Sequence, residues 1–227
     1  MRLSAANLLV ALQHADGQFP SGGFAFSQGL EPSSSLADRL GKFDFAGFVE
    51  GQIRFRWADA DRVALIRAHR LAGGLEAIAK LDREVEASTL MEGLRSGSRR
   101  NGAALLTTHA RLGTGGAAGY RGLIRSGVAC GHLAVVQGLM WQALGLDEAT
   151  AAAIGGYQMV ASLATAAVRL GVIGALDAQT EIARALPQIE AAALRPVADE
   201  EPLRSFAPLC EIAVALRGAS DQRLFSN

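Results

Sequence analysis

Cys130 and His132 put a thiol and an imidazole two positions apart, and sulfur beside nitrogen is a donor set that divalent metals of the zinc type accept. The run around them, Ser126 to Leu146, carries no Asp, Glu, Lys or Arg and reads as one apolar helix. On a helix two positions lie about 200° apart around the axis, so the two side chains diverge and close on no common ion. His14, His69 and His109 are scattered and read as hydrogen-bonded core or surface groups, so no metal ligand is assigned. Carboxylates pair at Glu84 and Glu86 and at Glu200 and Glu201. Both pairs sit in charged segments, where solvated carboxylates keep ordinary acidity and offer little to general acid catalysis.

Other chemistries are excluded by pattern. GxxxxGK[ST], HExxH, CxxC, GxSxG and DDxxD are all absent. Gly113, Gly115 and Ala118 imitate a phosphate-cradling GxGxxA, but no strand precedes them, and the stretch to Gly119 reads as a helix-to-helix loop. Arg95, Arg99 and Arg100 share one helix face, read as solvated surface with a partner-facing patch as the alternative. With no catalytic constellation and no cofactor site to assign, the residues point to a protein that binds proteins.

The stretch that composition does not explain is Phe19 to Glu31, FPSGGFAFSQGLE. Pro20 pushes Phe19 out of helix and Gly22-Gly23 permits backbone angles that other residues avoid, so a specified turn hands Phe24 and Phe26 to the polar Ser27-Gln28.

Helices must position that turn. Ser4 to Ala15 carries Leu8, Leu9, Leu12 and Ala15 as an amphipathic stripe. Glu31 to Lys42, with Pro32 and three serines, reads as a solvated connection. Helical spacing resumes from Phe45 to Trp57, restarts near Asp59, and returns over Glu76 to Ala87 and Ser88 to Leu112. The uncharged runs Ser126 to Leu146 and Ala149 to Val168 are long enough to raise membrane spans, but His132, three glutamines and many small residues fit central helices of a bundle instead. Asp177 to Leu186 reads as a helix stopped by Pro187, followed by a short helix to Leu194, and Leu203 to Leu216 as the last one.

The chain of 227 residues has 22 basic and 22 acidic groups, which gives no global field for nucleic acid or an anionic membrane. Half of it is apolar and only 6% aromatic, the composition of closely packed helices. Cys130 and Cys210 read as buried thiols in a reducing compartment, and the apolar run at Leu8 to Leu12 is too short for a leader, so a cytoplasmic protein is expected. The expected fold is all-α, a single-domain helical bundle over residues 1–227, with apolar central helices and a flexible docking tail from 217 to 227.

The segment LLVALQHADGQFPSGGFAFSQGLE resembles the N-terminal signature of the urease accessory protein F (UreF) family, with Leu8, Leu9, Leu12, Pro20, Gly22, Gly23, Phe24, Ser27, Gln28, Gly29, Leu30 and Glu31 on the pattern. SFAPLCEIA, from Ser205 to Ala213, is similar to the family's SFAPLLDIA, and Arg223-Leu224-Phe225 to its RLF. Arg217-Gly218 stands where the family has a His-Glu pair, and Ala175 where its GQxxxQ has the first glutamine. The resemblance implies an all-α accessory protein without enzymatic activity. It would dimerise, bind the accessory protein D/H and recruit the GTPase G, whose activity it would be placed to regulate. The assembly then inserts nickel into apo-urease, with no cofactor held by this chain and no nucleic acid or membrane partner. The partner-binding residues implied are Pro20, Gly22, Gly23, Phe24, Ser27, Gln28, Glu31, Arg223, Leu224 and Phe225. The alternative is a helical bundle that binds a ligand, or an enzyme, unrelated to urease.

Overall fold

The computed structural model describes residues 4–22 and 27–217, with residues 38–40 and 217 described by backbone only. Gly23, Phe24 and the tail carrying Arg223, Leu224 and Phe225 lie outside the described residues. Within them the chain is all-α, as composition implies.

The centre is α9 (Glu148–Arg169), started by Asp147, whose carboxylate accepts from Thr150 N at 3.0 Å. Its length and apolar content would suffice to cross a membrane, yet most of it is buried against α10 (Ala175–Ala193), α4 (Arg62–Arg70) and α1 (Ala5–Ala15). The other uncharged run is not one helix. Ser126 to His132 is a loop, and α8 (Leu133–Ala143) begins only after Gly127 and Gly131 have both turned to positive φ. α8 lies hard against α4 because position 138 has no side chain: a Cβ there would collide with the Leu65 carbonyl. The closeness buries Leu65, Leu139, Met140 and Trp141, each contributing about 1.5 to 3 kcal/mol.

No break occurs at Asp59. α3 (Phe45–Gln52) runs through a π-helical segment (Ile53–Asp61) into α4 without leaving helical angles. Nine residues of π-helix is unusual, and outside donors account for it. The Phe55 carbonyl accepts from Phe206 N (2.7 Å), the Asp59 carbonyl from Arg204 N (3.0 Å), and the Ala58 carbonyl from Arg62 Nε (2.9 Å) and Arg195 Nη2 (3.0 Å). The Arg204 and Phe206 bonds hold an extended strap, residues 203–207, along the segment, so the last helix, α11 (Pro208–Arg217), starts later than Leu203.

Three further expectations are corrected. Glu31 to Lys42 is not a solvated connection: α2 (Leu30–Leu40) forms there with Pro32 in its first turn, where a missing N–H costs nothing, and with Leu30, Glu31, Ser33 and Ser34 buried. Pro187 does not stop α10. The helix continues to Ala193, and Ile182, Ala185 and Ile189, buried along one face, offset the proline's cost of about 3 kcal/mol. The leucine stripe of α1 faces outward, with Leu8, Leu9 and Leu12 exposed, while Val10, Ala11 and His14 turn to the core. The charged helices arrive as expected as α5 (Leu75–Ser88) and α6 (Glu92–Arg111), but the glycine-rich loop ends at Gly116, and Ala117 to Gly119, expected in the loop, open a further helix, α7 (Ala117–Arg125).

Candidate functional site

The turn at Phe19–Gly22 rests on α6. The Pro20 carbonyl accepts from Thr108 Oγ1 at 2.9 Å, and Gly22, at φ +78°, lies over Asn101 and Ala104. Beneath it His14, Phe19 and His109 form an aromatic cluster, with the two imidazoles stacked at 5.2 Å between centroids. Burial, followed by His14, holds His109 down at about 4, and burial lowers His14 against the raising effect of the Val10 carbonyl. Both rings are therefore neutral near pH 7. Pro20 is exposed, whereas Ser27, Gln28 and Glu31 are buried.

Those buried residues bring the two conspicuous motifs together. Gln28 (φ 51°) and Gly29 (φ 84°) turn the chain into α2, and Cys210 on α11, 182 positions away, donates its Sγ–H to the Gln28 carbonyl at 3.7 Å. A side chain on Gly29 would collide with Cys210 Sγ. Burial pushes the Cys210 thiol up, which suits a packing role and not a nucleophile.

Two cavities flank this junction and differ in kind. Under the turn, Arg56, Asp61, Asn101, Gln137 and Gln158, with Trp57, Leu133 and Met159 between them, line a mixed pocket of about 50 Å³, room for a few waters and far short of a substrate site. Gln137 donates to Gln158 at 2.8 Å, and Gln158 to the His14 carbonyl at 2.6 Å. Arg56 reaches Asp61 at 3.5 Å, and its buried Nη1 meets no acceptor among the described residues. On the other side, α2, α3 and α11 enclose an open apolar groove of about 510 Å³ lined by Leu36, Phe43, Phe48, Phe55, Phe206 and Leu209. Its rim is unusually bare: Phe206 is 72% and Leu209 75% exposed. Cys210, Ala213 and Val214 turn inward on α11, while Leu209, Ile212 and Leu216 form a second apolar stripe that faces solvent.

The loop before α8 overturns the argument that separated Cys130 from His132. It is not helical, and the cause is Asp82, a fully buried carboxylate that spacing did not single out. Asp82 accepts from the backbone N–H of Cys130 and Gly131 at 2.6 Å each and of His132 at 2.9 Å, and from Tyr120 Oη at 2.8 Å. Gly131 takes φ +82°, and its carbonyl fills the space where Gly102 lacks a side chain. So pinned, Cys130 and His132 converge on Glu86, with one donor atom from each within 4.8 Å of the others. Cys130 is half-buried in a loop, not sunk in a helix. Glu86 is not a solvated carboxylate either: it bonds His132 Nε2 at 2.8 Å and Arg99 at 2.7 Å. Glu84 holds Arg67 through two bonds of 2.8 Å. Arg95 and Arg99 both pair with Glu86 and Glu92, so that basic face is largely neutralised. The local signal was the glycine pair at 127 and 131, which argued against one long helix.

The UreF family model matches residues 41–186. The chain is 30% identical to the urease accessory protein UreF of Trichodesmium erythraeum (strain IMS101), over 96% of each chain. It is 29% identical to urease accessory protein UreF 1 of Brucella melitensis biotype 1, over 99% of this chain and 94% of that one. With the UreF of Kocuria rhizophila the identity is 30%, over 98% and 97%. The model match spans the middle of the chain, between the end motifs, and the relatives cover both. This all-α chain therefore belongs to the UreF family of urease accessory proteins.

Proposed function

We propose that the chain is a non-catalytic, cytoplasmic scaffold in urease maturation, which docks the accessory protein D/H and recruits the GTPase G so that nickel is inserted into apo-urease. The observation that carries this reading is the outer face of α11: Phe206, Leu209, Ile212 and Leu216 are large apolar groups held in solvent beside a groove of about 510 Å³. Exposed apolar surface of this kind marks a protein interface, where a few large side chains supply most of the binding energy. The inner face of the same helix is occupied by Cys210 and Val214, so the outer stripe is spare for a partner. The tail with Leu224 and Phe225 would extend the contact, and the stripe Leu8, Leu9 and Leu12 on α1 supplies a second apolar face for a homodimer.

The test is co-purification of the D/H protein with a Leu209→Asp, Ile212→Asp variant. Capture should be lost while circular dichroism keeps its helical signal, and capture at the unsubstituted level would overturn the reading.

A further inference from the structure

We propose that Glu86, Cys130 and His132 form a binding site for one divalent cation of the zinc class, separate from the apolar docking face. Carboxylate, thiol and imidazole donors within 4.8 Å of one another are the three protein ligands of a tetrahedral site whose fourth position is left to water. A thiolate among them favours Zn²⁺, Co²⁺ or Ni²⁺ over Mg²⁺ or Ca²⁺, which take oxygen.

The supporting shell is already built. Ser98 Oγ lies 3.1 Å from His132 Nδ1, so with the proton on Nδ1 the ring donates to Ser98 and turns its Nε2 lone pair towards Glu86 Oε2. Arg99 bonds Glu86 Oε1, which leaves Oε2 as the metal ligand and fixes the plane of the carboxylate. Asp82 anchors the three consecutive N–H groups of the loop, so Cys130 and His132 are presented by a rigid backbone. Binding replaces the Glu86–His132 hydrogen bond, in which Nε2–H donates to Glu86: the imidazole proton moves from Nε2 to Nδ1, where it donates to Ser98, and the thiol proton leaves to solvent. Thiolate and carboxylate together bring two negative charges, against which the nearby guanidiniums of Arg95 and Arg99 are shared with Glu92.

Co²⁺ alone, titrated into the full-length chain freed of any purification tag, tests the site. One equivalent should bind, with a near-ultraviolet thiolate-to-cobalt absorption that Zn²⁺ displaces. Cys130→Ser should abolish that absorption, and Cys210→Ser should leave it. Ser98→Ala, a change in the supporting shell, should weaken Co²⁺ about 10- to 100-fold. Glu86→Gln should also weaken Co²⁺, and it provides a readout that does not depend on Cys130→Ser folding. Absence of stoichiometric uptake, absorption that survives Cys130→Ser, or unchanged affinity in Glu86→Gln would each overturn the proposal.

Discussion

Asp82 and Arg56 are both buried charges, and the protein treats them in opposite ways. Asp82 is met by four donors, and its loop has only one shape available. Arg56, across the bundle on the π-helical segment, has Asp61 at 3.5 Å and a buried nitrogen that no described acceptor meets. Arg62, one turn and a half further on, shows that a buried guanidinium can be answered here: it donates to the Ala58 and Arg195 carbonyls, although burial and then Arg195 lower it to about 10. A fully answered charge acts as a rivet for backbone. A half-answered one stabilises little, and its replacement costs little.

The largest effect should follow Asp82→Ala, which strands three backbone N–H groups and the Tyr120 hydroxyl. A loss of about 3 to 5 kcal/mol in urea unfolding is expected. A loss below about 1 kcal/mol would mean that the loop holds itself. Next comes the pocket side, where His109 folds as a neutral ring. Its folded value lies below the unfolded one, so the unfolded chain binds more protons and stability falls as pH drops from about 6.5 towards 4. The contribution is at most about 3 kcal/mol, and His109→Asn should flatten the urea midpoint measured between pH 7 and 4.5. An unchanged slope would assign the acid sensitivity to other groups. The smallest effect is expected for Arg56→Met, within about 1 kcal/mol of the parent in the same assay. A large loss there would erase the contrast and make Arg56 a rivet too.

Much of the helical plan is legible in the residues, and the misses share a cause. Alanine, glycine and leucine content announces close-packed helices, and α5, α6 and α9 follow their periodicity. Where one rule was read alone, tertiary contacts prevailed. Pro187 is a helix breaker in isolation but not with Ile182 and Ile189 anchored on either side of it. The apolar stripe of α1 points outward because periodicity identifies a face without saying what covers it. The π register at Ile53–Asp61 has no local signature, since its cause lies in the strap almost 150 residues later. Helical spacing separates Cys130 from His132, but Asp82 holds that segment out of helix. Of the turn, Pro20 and Gly22 fall where their types demand, whereas Gln28 takes a positive φ that its type does not favour. The burial of Ser27 and Glu31 is tertiary and has no local signature.

The contact between Gly29 and Cys210 also sets a schedule. At cellular synthesis rates the 182 positions between Gln28 and Cys210 take roughly ten seconds or more to make. Until α11 emerges, Gly29 and the face of α2 that packs on α11 lack that cover, and a chain that stalls early presents that surface to whatever is near. The same helix carries the outer apolar stripe, so the docking face proposed for it is complete only when the helix that closes the N-terminal motif has been made. Completion of the fold and competence to meet a partner are then a single event in time.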